Sequence, residues 1–84
     1  MLVLSRREGE AIVLGSELIV TVARLFKDFV EFSVTRPNGF LMATHVAHER
    51  ESVAVVDGVR LVVVAFRDGK VRSGIEYPPD LSES

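Results

Sequence analysis

Arg6 and Arg7 are the only adjacent arginine pair in this 84-residue chain, and they are its best candidates for chemistry on a ligand. A guanidinium is a planar fork of donors that fits a phosphate or a guanine edge. The pair follows the apolar run Met1–Leu4, so it leaves a short strand. Neighbouring side chains on a strand point to opposite faces. The two arginines should therefore do different jobs, one toward a ligand and the other at the rim or in the structure. His45 and His48 are three apart, with Glu49 beside them. That spacing suits one helical face and a metal, although exposed linker residues are the simpler reading. The chain has no Cys, which excludes disulfides, thiolate metal sites and a Cys nucleophile. Its carboxylates are spread along turns without an acid/base dyad, and it has no Gly-rich phosphate loop or G-x-S-x-G elbow. No catalytic residue, metal or cofactor is expected, and the chain does not read as an enzyme.

The elements that must position these residues read as strands. Met1–Leu4 and Ala11–Leu14 flank a turn around Gly9. Glu17–Leu25 is rich in β-branched residues, and Phe29–Thr35 alternates strictly, so the two should form a hairpin across Phe26-Lys27-Asp28. Arg36-Pro37-Asn38-Gly39 is a strong turn. Phe40–Thr44 reads as a short strand, and His45–Glu51 as a helical turn or an exposed connector. Ser52–Val56, Val59–Phe66 and Val71–Tyr77 read as strands joined at Asp57-Gly58 and at Arg67-Asp68-Gly69-Lys70, with Pro78-Pro79 ending the last. Gly74 inside a strand marks a bulge or a close backbone approach. The tail from Asp80 is polar and should fray. The fold class is all-β, a small two-sheet sandwich or barrel-like arrangement in one domain, residues 1–84.

A net charge of −2 means that this chain cannot attract nucleic acid in bulk, so any phosphate binding must come from a local patch. No apolar run reaches the roughly 20 residues that span a bilayer, and the opening is not a signal peptide. No membrane partner is expected, and the expected location is the cytoplasm.

A shift of 41 residues overlays Val20–Phe40 on Leu61–Leu81 without gaps. Val22 falls on Val63, Val30 on Val71, Val34 on Ile75 and Pro37 on Pro78. This suggests a partial duplication, with units of about 1–44 and 45–84.

The opening, MLVLSRREGEAIVLG, resembles that of the carbon storage regulator family (CsrA/RsmA), small bacterial RNA-binding regulators of translation. That family begins MLVLSRK-x-GE, and its central hairpin has the form I-x-V-T-V-x-G-x-x-G-x-x-V-R-I-G-I-x-A-P. Both LIVTVARLFKDFVEFSVTRP and VRLVVVAFRDGKVRSGIEYP fit that form. The resemblance implies an intertwined homodimer of five-stranded chains, with RNA sites combining the first strand of one chain with the last strand of its partner. A chain holding two units could instead form a single-chain pseudo-dimer. By the same resemblance, Leu4, Arg6 and Arg7 form one half of an RNA site for GGA-containing mRNA leaders or hairpins. The family's last strand carries V-x-V-H-R-E-E; here Ala43 stands at the His and Thr44 at the Arg. Another cation must then serve: Arg36, in the turn with Pro37, or Arg50 or Arg72. The functional expectation is an mRNA-binding post-transcriptional regulator. The alternative is a protein-interaction module that modulates a true family member or meets a protein antagonist.

Overall fold

The computed structural model describes residues 2–56 and 58–77. Asp57, Pro78-Pro79 and the tail from Asp80 lie outside the described residues. Among the described residues eight strands form in chain order: β1 (Leu2–Arg6), β2 (Ala11–Leu14), β3 (Leu18–Leu25), β4 (Phe29–Thr35), β5 (Leu41–His48), β6 (Ser52–Val56), β7 (Val59–Arg67) and β8 (Lys70–Glu76). They build two four-stranded antiparallel sheets, one ordered β1-β8-β7-β6 and the other β2-β3-β4-β5. We call them the β1 sheet and the β2 sheet.

Period-two patterning explains the layers. β4 alternates half-buried and buried along its whole length. Val30, Phe32 and Val34 point inward and meet Val20 and Val22 from β3. The β1 sheet contributes Val59, Leu61, Val63, Val71 and Ile75 to the same core. Each such side chain stabilises the fold by about 1.5–3 kcal/mol when fully buried. The apolar faces of both sheets therefore cover each other within one chain.

One expectation is corrected, and of the two alternatives at Gly74 the bulge does not occur. No helix forms among the described residues, and His45–Glu51 is not a helical turn. β5 runs on through His48 because each of its residues from Ala43 to His48 finds a partner on β4. Pairing with a long neighbour overrides the polar composition of HVAHERE, and only Glu49-Arg50 remains as the turn. The chain's bulges lie elsewhere than at Gly74: the one nearest it falls on β7, between Val63 and Ala65. Gly74 itself is buried, in register with Val3 on one side and Val62 on the other.

β1 opens the chain but does not pair with β2, its sequence neighbour. It crosses to the other sheet and lies along β8, with Leu4 opposite Ser73 and Ser5 opposite Arg72. The Gly9 N–H donates to the Val22 carbonyl at 2.7 Å and the Val22 N–H to the Glu10 carbonyl at 2.9 Å, so the β1–β2 turn is tied to β3. Gly9 sits at φ +88°, a conformation that favours glycine.

Candidate nucleic-acid interface

The strand geometry gives the two arginines different surroundings. Arg6 lies opposite buried Val71 and is half-buried. Its Nε–H donates to the Ala11 carbonyl at 3.2 Å and its Nη1 to the Ser5 carbonyl at 2.9 Å. The guanidinium thus closes the corner between β1 and β2. Arg7 is exposed and reaches the β7–β8 turn, where a Cβ placed on Gly69 would lie 3.5 Å from its Nη1. Its backbone N–H donates to the Glu10 carboxylate at 2.7 Å, which fixes the turn that carries it.

Arg7 does not stand alone there. The turn Asp68-Gly69 has positive φ at both residues, 55° and 72°, as a tight two-residue hairpin turn requires. It sets Arg67 directly across from Lys70. Two residues on, Arg72 follows on the same face as Lys70, because Val71 between them is buried. Arg72 is flanked by Ser5 on β1 and Ala65 on β7. Ser5, Val64, Ala65, Arg67, Asp68, Lys70 and Arg72 line a cleft of about 280 Å³ on the outer face of the β1 sheet. Four cations (Arg7, Arg67, Lys70 and Arg72) therefore converge on one end of this face, with Asp68 among them. Among the described residues none of the four is in an ion pair; the pair present is His48–Glu51, at 2.9 Å. Free cations beside a shallow polar cleft can take successive phosphates of one strand.

A second cleft, of about 450 Å³, adjoins the first through Arg67, Asp68 and Lys70 and adds Leu25, Phe26, Lys27, Phe66 and the carboxylate Glu8. Phe26 is 42% exposed and stacks on Phe29 at 4.3 Å between ring centroids. An exposed aromatic beside cations is the arrangement on which an unpaired base can stack.

The other residues expected at the site are placed apart from this face. Leu4 is half-buried and packs against the core, so it faces inward. Arg36 and Pro37 follow the end of β4, the opposite end of that strand from Phe26-Lys27 at the second cleft. Thr44 lies on β5 opposite Ser33, in the β2 sheet. Arg50 is at φ 69° in the β5–β6 turn, where its N–H donates to the Val63 carbonyl at 2.7 Å. Only Arg72, of the compensating cations considered, lies on the face that Arg7 reaches.

Arg67 and Lys70 were missed as site residues because the sequence showed them only as a polar turn. The signal was present, since a tight hairpin turn places its flanking residues opposite each other and K-x-R on a strand shares a face. The histidines separate as well. His45 is half-buried opposite Phe32, whereas His48 is exposed, its ring Nδ1 2.9 Å from the Glu51 carboxylate. On a strand, positions three apart face opposite ways, so the helical premise for a shared metal is gone. The same Glu51 oxygen accepts the His48 backbone N–H at 2.6 Å. That backbone bond, helped by the ring, holds the Glu51 carboxyl below the usual glutamate range.

Comparison with known proteins gives one family. Residues 1–41 match the CsrA model, described as a global regulator protein family. No curated protein and no solved structure matches the chain.

Proposed function

We propose that this chain, whose residues 1–41 match the CsrA family of global regulators, is a member of that family and regulates translation by binding mRNA on the outer face of its β1 sheet. Members of that family are generally RNA-binding regulators. The observation that carries the proposal is the convergence of Arg7, Arg67, Lys70 and Arg72 on one face of a chain whose net charge is −2. Charge so segregated supplies locally the attraction that the whole molecule lacks.

In this proposal Arg7, Arg67, Lys70 and Arg72 hold the phosphates of a GGA-containing leader or hairpin loop, and Phe26 offers a surface for an unpaired base. Arg6 positions Arg7 by closing the β1–β2 corner, and Leu4 seats β1 on the core. Arg36 and Pro37, remote from the cluster, stand outside the interface. The regulator acts in the cytoplasm, where its messages are.

A second proposal has an observation in its favour. Phe40 and Leu41 are 63% and 54% exposed, and Val46 on β5 is 52% exposed, all on the side of the β2 sheet. Such apolar surface suits a protein partner, the antagonist or family member of the alternative function.

The test is titration of a short hairpin RNA with GGA in its loop at several salt concentrations. Salt-sensitive binding that Arg72→Ala weakens supports the regulator proposal. A folded protein that binds no RNA at micromolar concentration rejects it and turns attention to the apolar side.

A further inference from the structure

The two halves of the chain repeat one another in hydrogen bonding as well as in hydropathy. Every β3–β4 pair recurs in β7–β8 with both partners 41 residues later: Val22↔Phe32 becomes Val63↔Ser73, and Ile19↔Thr35 becomes Arg60↔Glu76. Even the bulge between Val22 and Arg24 recurs between Val63 and Ala65. The turn bonds follow the same offset. Gly9 N–H to the Val22 carbonyl, 2.7 Å, is matched by Arg50 N–H to the Val63 carbonyl, 2.7 Å, and the Arg7–Glu10 bond by His48–Glu51. The order β1-β8-β7-β6 turns into β5-β4-β3-β2 on exchanging halves. β1 lies on β8 as β5 lies on β4, with Leu2↔Ile75 answered by Ala43↔Val34. Each half thus lends its first strand to the sheet of the other.

The equivalent outer faces differ in charge. Where the β1 sheet has Arg7, Arg67, Lys70 and Arg72, the β2 sheet has His48, Phe26, Phe29 and Glu31. The cations it does carry are Arg24, opposite Glu31 in the register, and Lys27, which lines the cleft shared with Arg67 and Lys70. Glu8 and Glu49 occupy equivalent turn positions and do not distinguish the faces.

We infer that the chain is a fused two-fold pair, acting as a monomer, that holds one anionic strand on its β1 sheet, while the equivalent face of the β2 sheet has lost phosphate binding through Glu31 and His48. The inference deepens the RNA-binding proposal, naming how many strands one chain holds and why. Both apolar sheet faces are already covered within one chain, so a second copy is not needed to complete the core. The cationic face is itself complete, since β1 from the first half and β7–β8 from the second meet in it.

The experiment measures the mass of the protein in solution and its binding stoichiometry with two probes, a short single-stranded RNA and a short inorganic polyphosphate. A single-chain mass and one polyphosphate per chain are expected, weakened at least tenfold in Lys70→Ala/Arg72→Ala. Glu31→Arg/His48→Arg, which leaves the Phe26–Phe29 stack in place, is expected to raise the stoichiometry to two. Polyphosphate binding without RNA binding rejects the RNA proposal and leaves this inference standing. An obligate dimer, two sites in the unaltered protein, no polyphosphate binding, or a folded Glu31→Arg/His48→Arg variant that still holds one would each overturn it.

Discussion

At the scale of single residues, neighbouring arginines meet different surroundings. Arg6 donates to two backbone carbonyls, whereas Arg7 stays exposed beside Gly69. Arg6→Ala should lower stability by about 1–2 kcal/mol by removing those bonds, read as a shifted urea midpoint. Arg7→Ala should leave that midpoint in place and weaken RNA binding. Ser73 carries the opposite lesson. It is 2% exposed, and its hydroxyl has no hydrogen-bond partner among the described residues. An orphan polar group costs about 1–3 kcal/mol, so Ser73→Ala should raise the urea midpoint.

At the scale of elements, the two β-turns that enter β2 and β6 are built alike from different residues. Gly9 adopts φ +88° in one and Arg50 φ +69° in the other. A side chain there pays a cost of about 1–2 kcal/mol that glycine avoids. Arg50→Gly should therefore stabilise the fold and Gly9→Ala destabilise it, with opposite shifts in melting temperature. The Arg50 turn should also be acid-sensitive. Glu51 is held below its ordinary pKa by the His48 backbone N–H, with the ring's help. A depressed carboxylate contributes stability above its unfolded pKa and loses it as pH falls through the folded value. The protection factor of the His48 amide, its exchange rate corrected for the intrinsic pH dependence, should accordingly fall on acidification through that range, and Glu51→Gln should remove that fall.

At the scale of the whole molecule, two sheets of one chain share a core in which Phe32 is the largest fully buried side chain. Phe32→Ala should cost about 3–5 kcal/mol, the range for a deleted core aromatic, measured by denaturant unfolding. The cationic end of the β1 sheet should set the salt response of the proposed RNA binding. With four phosphate contacts on a single strand, the logarithm of RNA affinity should fall against that of salt with a slope of about −3. Loss of Lys70 should reduce that slope by nearly one unit, whichever RNA is used.

Alternation along FVEFSVT, the β-branched run of β3 and the turn at Arg36–Gly39 sufficed to read strands, hairpins and an all-β class from sequence, because period and turn chemistry are local properties. The different surroundings of Arg6 and Arg7 follow from the same period. The resemblance that the CsrA match over residues 1–41 repeats was also legible in the opening residues. What sequence left open was pairing. Nothing local in Leu2–Arg6 says that it lies along β8 rather than β2, or that polar HVAH continues β5 once β4 is beside it. The gathering of Arg7 with Arg67, Lys70 and Arg72 depends on that choice, and so does the separation of Arg36 from them. A strand's pattern fixes which faces its side chains take; only the tertiary structure decides which distant strand shares that face, because strand partners are selected by burial of the whole core.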